Sequence, residues 1–288
     1  MKICEACGSN LNTRTYSDSE ETEAKVLCEA CAIKLKNGSL TIETVINGKY
    51  KLKLPFHRAI RPDWDIAKGG WETTRLDKLK EVTSKGSVVY DIGAEEGDIS
   101  ALLSIWSGGN IVLFEPNPLV WPNIKLIWES NNLPPPLGYF VGFASDTTNL
   151  QPQNLNIDMR INIGGFPPAA NGQVISNHGF RHLAEESDAT PQITLDDFVY
   201  GQQVYNKIAA PSILNIDVEG SELNVLKGAE KLLTNNAITV LVSVHPEFMY
   251  NYFGAYTSDL TNYMKAIGYK YDLLDFDHEY HFLFVKDS

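Results

Sequence analysis

One segment limits the folds open to this chain more than any other, and it lies at residues 88–98. The apolar run VVYDI is followed by Gly93 and Gly97 and then by the apolar pattern of a helix. A strand, a glycine turn and a helix in this order predict the first unit of an α/β sheet. Because ligands of such sheets bind at the carboxyl ends of the strands, the turn also predicts where a site lies.

The spacing and charge of this turn distinguish two kinds of ligand. Its pattern is Asp-x-Gly-x-x-x-Gly, whereas a dinucleotide pyrophosphate is bound at a helix N-terminus by Gly-x-Gly-x-x-Gly. Acidic side chains occupy the turn at Asp91, Glu95, Glu96 and Asp98. They would repel a pyrophosphate, but not a cofactor with an ammonium and a sulfonium group. The turn therefore favours S-adenosylmethionine (SAM).

Strand and helix patterns alternate through most of the chain. Apolar runs predict seven strands, at residues 87–92, 110–115, 138–143, 212–218, 239–244, 269–276 and 280–286. The last two form an antiparallel hairpin, and the others alternate with helices, including one continuous helix at 219–233. This order predicts an α/β, Rossmann-like and mostly parallel sheet. A nucleotide dehydrogenase sheet lacks the terminal hairpin.

The organisation of the chain follows from changes in composition. We expect a cysteine module at 1–38, a hairpin and connector at 39–70, and the α/β domain at 71–288. The dipeptide Asn47-Gly48, between two alternating runs, predicts a type I′ hairpin turn. Residues 145–192 are polar, rich in Asn, Pro and Gly, and too long for a simple connection. We expect an insertion there, with one strand at 159–163.

Composition excludes several classes of protein. The 288 residues are 43% hydrophobic and 21% charged, as in a soluble globular protein. The net charge of −12 argues against nucleic-acid binding, which depends on lysine and arginine. No stretch approaches the roughly 20 apolar residues of a membrane span, and the start has no apolar signal core. We therefore expect a cytoplasmic protein.

The amino-terminal cysteines have the spacing of a metal site. Two Cys-x-x-Cys pairs are separated by twenty residues, at Cys4, Cys7, Cys28 and Cys31. Four thiolates can complete a tetrahedral zinc site and leave no position for an activated water, so a structural Zn²⁺ ion is expected rather than a catalytic one. Two disulfides or reduced thiols are the alternative. Such a zinc-ribbon-like module would stabilise the chain or bind a protein partner.

With these residues in hand, the chain resembles the FkbM family of SAM-dependent methyltransferases. Four motifs match in order within residues 71–250: VYDIGAEEGDIS at 89–100, FEPNP at 114–118, TLDDF at 194–198, and IDVEGSE at 216–222 followed by VLKGA at 225–229. The resemblance implies the class I methyltransferase fold and methylation of hydroxyl groups on sugars or polyketide-type products. The family often carries Asn-x-Gly-Tyr where this chain has the more acidic EEGD. The cysteines lie outside the resemblance.

The resemblance also implies which residues bind the methyl donor. The glycine loop would be shaped by Asp91, Gly93, Ala94, Glu95 and Gly97, with Glu115 and Pro116 at the ribose, Glu72 near the cofactor, and Ala144 and Asp146 at the adenine. A carboxylate at the end of the second strand can accept hydrogen bonds from both ribose hydroxyls. Alternatively, neither residue binds the cofactor: Glu115 is then a solvated carboxylate at a strand end, and Glu72 is an exposed acidic residue at the start of a helix.

A second polar group follows the fourth and fifth strands. Asp217, Glu219 and Glu222 lie at the end of one strand, and His245 at the end of the next. A carboxylate or the histidine could serve as general base for an acceptor hydroxyl. The carboxylates could instead hold a divalent cation that lowers the pKa of that hydroxyl. Alternatively, Glu219 is only a carboxylate that stabilises the start of a helix, and His245 has only a structural role.

The leading hypothesis is SAM-dependent O-methylation of a hydroxyl on a saccharide or glycoconjugate. The nearest alternative is a methyltransferase with a protein or amine acceptor. A third is a docking protein, in which the cysteine module binds a partner and the methyltransferase fold is a scaffold. The complete set of Asp91, Gly93, Gly97 and Glu115 argues against a scaffold.

Overall fold

The computed structural model describes residues 13–16, 25–150, 161–174, 190–201, 208–276 and 279–287. The strands are β1 Thr13–Tyr16, β2 Lys25–Cys28, β3 Thr41–Ile46, β4 Tyr50–Pro55, β5 Val89–Ile92, β6 Ile111–Phe114, β7 Gly138–Phe140, β8 Phe143–Ala144, β9 Ile161–Ile163, β10 Gln192–Ile193, β11 Ile213–Asp217, β12 Thr239–Val244, β13 Tyr269–Phe276 and β14 Tyr280–Lys286. The helices are α1 Glu29–Lys36, α2 Phe56–Ala59, α3 Thr73–Val82, α4 Asp98–Ser107, α5 Trp121–Ser130, α6 Leu195–Tyr200, α7 Glu222–Lys227, α8 Glu230–Asn235, α9 Pro246–Phe253 and α10 Thr257–Ala266.

A mixed sheet forms the centre of the molecule, in the order β13-β14-β12-β11-β5-β6-β7-β9. The strands from β12 to β7 are parallel, β14 pairs antiparallel with β12 and β13, and β9 pairs antiparallel with β7. The Rossmann-like fold is thus confirmed. Seven strands were predicted, and β9 adds an eighth strand to this sheet, since the strand expected in the insertion pairs with the edge of β7.

The strand order places a crevice beside β5. From β5 the chain proceeds outward through β6 to β7, whereas β11 and β12 lie on the other side of β5. The connections that leave β5 and β11 therefore diverge to opposite faces, and their carboxyl ends form the switch point at which such sheets bind ligands. Every residue of β5 and β6 is buried, which fixes this edge in place.

The predicted hairpin forms and packs on the core. Asn47 and Gly48 both have positive φ, at 51° and 68°, as a type I′ turn requires. Ile46, Leu52 and Leu54 are buried in the same apolar cluster as residues of β5, β6 and α4. The hairpin therefore holds the helix that follows it, α2, against the start of α4.

Two helices differ from the sequence prediction. The single helix expected at 219–233 is divided into α7 and α8 after Lys227, where the backbone oxygen of Gly228 accepts from the amide of Asp196 at 2.9 Å instead of from the amide of Leu232. The side chain of Asp196 caps α8 by accepting hydrogen bonds from the backbone N–H groups of Lys231 and Leu232, at 2.8 and 2.7 Å. Helix α9 was not predicted, although Pro246 at its first position is a start signal.

The amino-terminal zinc prediction is not tested. Cys4 and Cys7 lie outside the described residues, and only the backbone of Cys28 is described. Cys31 is buried in α1, beside Leu40 and Phe56. Among the described residues, no helix has both the length and the apolar character that a membrane crossing requires.

Candidate active site

The glycine loop after β5 crosses directly over the end of β11. Gly93 has a φ of 89°, and a Cβ atom on it would lie 1.8 Å from the backbone oxygen of Asp217. The amides of Gly93 and Ala94 both donate to the carbonyl oxygen of Phe114, at 2.9 and 3.0 Å. Gly97, with a φ of 88°, leads into α4. Glycine is thus required at Gly93 by close contact as well as by backbone conformation.

Asp91 is an internal support of this loop. Its carboxylate accepts a hydrogen bond from Asn215 Nδ2 at 2.7 Å and another from the hydroxyl of Ser100 on α4. Burial raises the pKa of Asp91 to about 6, although both hydrogen bonds act to lower it. With 1% of its surface exposed, Asp91 shapes the loop from behind and does not face the crevice.

Glu115 follows β6 and closes the other side of the loop. Its Oε2 accepts from the amide of Glu95 at 2.9 Å, and its Oε1 accepts from the amide of Asn117 at 2.7 Å. Burial raises the pKa of Glu115 to about 8, opposed by these two hydrogen bonds. Each carboxylate oxygen has a further lone pair. Glu115 can therefore still accept from a ligand hydroxyl, with Pro116 half-buried beside it.

The charge of the glycine loop is balanced from outside the α/β domain. Arg58 on α2 is 6% exposed, and its guanidinium donates to Glu95 at 3.1 and 3.3 Å and to Asp98 at 2.9 Å. Glu96 lies 2.6 Å from His57 Nε2 and accepts from Asn123 at 2.8 Å. The acidic side chains that the charge argument assigned to the cofactor are thus paired with protein groups. Arg58 offsets part of the negative charge of the loop, a compensation that the sequence did not indicate.

A second polar cluster lies at the ends of β11 and β12. Arg75 on α3 is 2% exposed; it donates to Asp217 Oδ2 and to Asn215 Oδ1, both at 3.0 Å, and to Glu72. Glu72 precedes α3 with a φ of 40°. Burial, together with Asp217 and Glu279, raises the pKa of Glu72 to about 8 against the effect of Arg75. Glu72 therefore belongs to this cluster, and its contacts are not with the glycine loop.

The imidazole of His245 is held between two buried carboxylates. Its Nδ1 is 2.8 Å from Glu222 Oε1, and its Nε2 is 2.7 Å from Glu279 Oε2. Burial acts to lower the pKa of His245, but the hydrogen bonds to Glu222 and Glu279 outweigh burial and raise it to about 11. Glu279 shows the reverse: burial raises its pKa, and the hydrogen bond to His245 lowers it to about 2.

Glu219 and Asp217 are the more accessible members of this cluster. Their side chains are 33% and 25% exposed, and the nearest carboxylate oxygen of each lies 3.7 and 3.8 Å from His245 Nε2. Burial raises the pKa of Glu219 to about 7, opposed by His245. The strained φ of 56° at Glu219 is the kind of conformation that is maintained at functional sites.

The remaining predicted donor residues lie further along the same edge. Ala144 is in β8, which pairs with β10, and Asp146 is exposed just after it. This stretch hydrogen-bonds to β10 and packs against Gly228.

Sequence reasoning missed four members of the site. They are Arg58, Arg75, Glu279 and His281. Glu279 directly precedes β14, and β14 brings His281 beside Ser243 of β12, where Nδ1 and the hydroxyl oxygen are 3.1 Å apart. The antiparallel pairing of β12 and β14 was the available signal, since it brings the start of β14 to the carboxyl end of β12.

Comparison with known proteins identifies the fold with a named family. The profile of the Methyltransferase FkbM domain matches residues 91–271, more than half of the chain. The hexuronic acid methyltransferase AglP of Haloferax volcanii is 27% identical over 191 residues, which cover 65% of this chain and 68% of that protein.

Solved structures show similarity at lower identity. The methyltransferase FkbM of Methylobacillus flagellatus is 18% identical, with a TM-score of 0.42 over 69% of this chain. The match spans 43% of that structure, less than half of its length. A SAM-dependent methyltransferase of Aquifex aeolicus is 9% identical, with a TM-score of 0.40 over 73% of this chain and 88% of its own.

Proposed function

The chain belongs to the FkbM methyltransferase family, and we propose that it transfers the methyl group of SAM to a hydroxyl on a saccharide or glycoconjugate. One observation carries the proposal: the backbone of the glycine loop and that of Asp217 touch at Gly93. A donor bound on the loop and an acceptor bound at the carboxylate cluster would then meet at one point of the sheet edge. Methyl transfer needs such proximity more than any other contribution.

The donor is assigned to the crevice between the loop and Glu115. The glycines allow the backbone to approach the methionine part of SAM, and the free lone pairs of Glu115 can accept from the ribose hydroxyls. Asp91, through Ser100 and Asn215, keeps the loop in the required shape. Residues 144–146 are retained as candidates for the adenine contact.

The chemistry is an in-line displacement at the methyl carbon. The acceptor oxygen forms a bond to that carbon while its bond to the sulfonium breaks, and the electron pair remains on sulfur in S-adenosylhomocysteine. The hydroxyl proton passes to a general base. We assign this role to Glu219, with Asp217 as the nearest alternative, because both are partly exposed. His245 is the weaker candidate, since carboxylates engage both of its ring nitrogens.

A sugar acceptor is supported by one relative. The Haloferax volcanii protein is described as a hexuronic acid methyltransferase, and the match covers about two thirds of both chains. Carboxylates at the edge of a crevice are also suitable partners for the hydroxyl donors of a saccharide. A protein or amine acceptor would need the same donor site, so only the identity of the methylated product distinguishes these alternatives from a saccharide acceptor.

Titration calorimetry tests the donor assignment. We expect the wild-type protein to bind SAM, and Glu115→Ala and Asp91→Ala to bind it much more weakly. Glu81→Ala is the matched control, because that carboxylate is 67% exposed on α3 and pairs only with Lys78 among the described residues. Absence of SAM binding by the wild type would refute the proposal and favour the scaffold hypothesis.

Mass analysis of products tests the acceptor. Incubation with SAM and a panel of glycans, peptides and amines should give a mass increase of one methyl group on a glycan. Glu219→Gln should lower kcat by about 10²- to 10⁴-fold, the usual contribution of a general base, while its affinity for SAM stays unchanged. Methylation confined to peptides or amines would contradict the saccharide assignment and leave the donor assignment intact.

A further inference from the structure

We infer that Asp217, His245 and Glu279 form a binding site for one divalent cation, which would hold the acceptor hydroxyl. The role of this site in catalysis rests on the proposed function, whereas the site itself is inferred from the positions of its three residues. Three different elements supply the residues: the end of β11, the end of β12 and the start of β14. Each element is a strand of the central sheet or adjoins one, so the positions are rigid.

The spacing of the three donor atoms suits a metal ion. Asp217 Oδ1, His245 Nε2 and a carboxylate oxygen of Glu279 all lie within 4.8 Å of one another. His245 Nε2 is 3.8 Å from Asp217 Oδ1 and 2.7 Å from Glu279 Oε2. Ligands about 2.1 Å from a metal lie roughly 3.0–3.4 Å apart in octahedral or tetrahedral geometry. The two distances lie on either side of this range, so an ion would bind after small movements of these side chains and with release of the proton on Nε2.

The surroundings orient each ligand toward one point. Glu222, which is fully buried, accepts from His245 Nδ1 and so directs Nε2 toward Asp217 and Glu279. A carboxylate behind the histidine is the usual outer partner of a metal-bound imidazole. Arg75 binds Oδ2 of Asp217 and leaves Oδ1 for the cation.

The charge of the cluster also favours a cation at this place. The neighbouring set of Glu72, Glu279 and His281 is also compact, but all three of its residues are buried. Four carboxylates, those of Asp217, Glu219, Glu222 and Glu279, lie within 4 Å of a ring nitrogen of His245, so acidic groups outnumber the cationic groups His245 and Arg75 here. Asp217 is also 25% exposed, so an ion bound there would remain open to an acceptor.

The ligand set indicates the class of metal. One imidazole with two carboxylates suits Mn²⁺, Fe²⁺ or Zn²⁺ better than Ca²⁺, which takes oxygen ligands alone. An ion at this point would stabilise the alkoxide that forms as Glu219 removes the proton. The inference thus adds a Lewis acid to the proposed reaction and gives His245 a role other than that of base.

Binding of Mn²⁺ to the full chain tests the site directly. The protein is treated with chelator and desalted under reducing conditions, and Mn²⁺, which thiolates bind poorly, is then titrated while the EPR signal of the free ion is followed. We expect one Mn²⁺ per chain. Glu279→Gln and Asp217→Asn should each weaken binding by at least about tenfold, the lower range for perturbing a metal site. Glu247→Gln, an exposed carboxylate on α9, should leave it unchanged.

Each outcome decides the inference. If the wild type binds no Mn²⁺, or binds several ions weakly with the same affinity in all variants, the site does not exist and the net charge of −12 explains the binding. Circular dichroism identifies a variant that fails to fold, in which case Asp217→Asn, at the most accessible ligand, decides alone. SAM calorimetry on the same samples is independent of Mn²⁺. A protein that binds Mn²⁺ but not SAM would keep the metal site and refute the proposed function.

Discussion

The pairing of Arg58 with the acidic glycine loop leads to a quantitative prediction. Arg58→Gln preserves much of the side-chain volume but removes the charge that faces Asp98, which is 2% exposed, and Glu95, which is 36% exposed at its side chain. Breaking a buried ion pair by removing one partner costs about 3–5 kcal/mol, because the other charge is left uncompensated. The pair with Glu95 adds less, since solvent screens it. We therefore expect the free energy of unfolding to fall by about 3–5 kcal/mol.

A matched control lies three residues away. Arg61 bonds Asp63 on the same segment, but these two side chains are 28% and 35% exposed. Arg61→Gln should cost at most about 1 kcal/mol, as exposed ion pairs do. Urea unfolding of both variants, followed by circular dichroism, measures the difference. Calorimetry should also show weaker SAM binding for Arg58→Gln only, because its partners belong to the glycine loop.

The double variant Arg58→Gln/Asp98→Asn separates charge pairing from packing. Removal of both charges should restore part of the lost stability, since no uncompensated carboxylate remains at Asp98. Two results would contradict this reasoning. In the first, Arg58→Gln lowers the free energy of unfolding no more than Arg61→Gln does. In the second, the double variant loses as much free energy of unfolding as Arg58→Gln and Asp98→Asn lose together.

Three further predictions concern other parts of the chain. Burial raises the pKa of Glu115 from its usual 4.5 to about 8, so the unfolded chain loses this proton at lower pH than the folded one. The free energy of unfolding should therefore fall as the pH rises between these two values, by up to ~1.4 kcal/mol per pH unit. Glu115→Gln should remove this fall, which urea unfolding of both proteins at pH 5 and pH 8 would reveal. Gly93→Ala should destabilise far more than Gly254→Ala, since both have positive φ but nothing lies within 4 Å of a Cβ atom on Gly254; equal melting temperatures would contradict the close contact. Elemental analysis of reduced protein never exposed to chelator should find about one zinc per chain at the four cysteines, and less than half an equivalent would count against the ribbon.

The sequence predicted those parts of the fold that local patterns encode. Strands β12, β13 and β14 begin and end at the predicted residues, because apolar runs and flanking turn residues define them. The break at Gly228 was not predictable in the same way. It depends on hydrogen bonds to Asp196, which lies more than thirty residues earlier.

The site shows the same division between local and distant information. The motifs located Asp91, Gly93 and Asp217, since each lies near the carboxyl end of a buried strand or directly after it. Which charges pair with which is a property of the folded chain, and Arg58 lies in a segment with no motif to connect it to the loop. The acidic groups of the loop could therefore be counted from the sequence, whereas their partial compensation by Arg58 could not be predicted.

The side chain of Asn215 has a consequence for how two substrates would share this site. Its amide nitrogen donates to Asp91 under the glycine loop, and its amide oxygen accepts from Arg75, which also holds Asp217. A ligand that orders one end of this chain of hydrogen bonds reduces the entropy that the other end still has to lose. By linkage, any factor by which the donor raises the affinity for the acceptor must equal the factor by which the acceptor raises the affinity for the donor. With donor and acceptor bound as proposed, we expect Asn215 to couple the two, so that the protein holds the methyl donor more tightly when an acceptor is present.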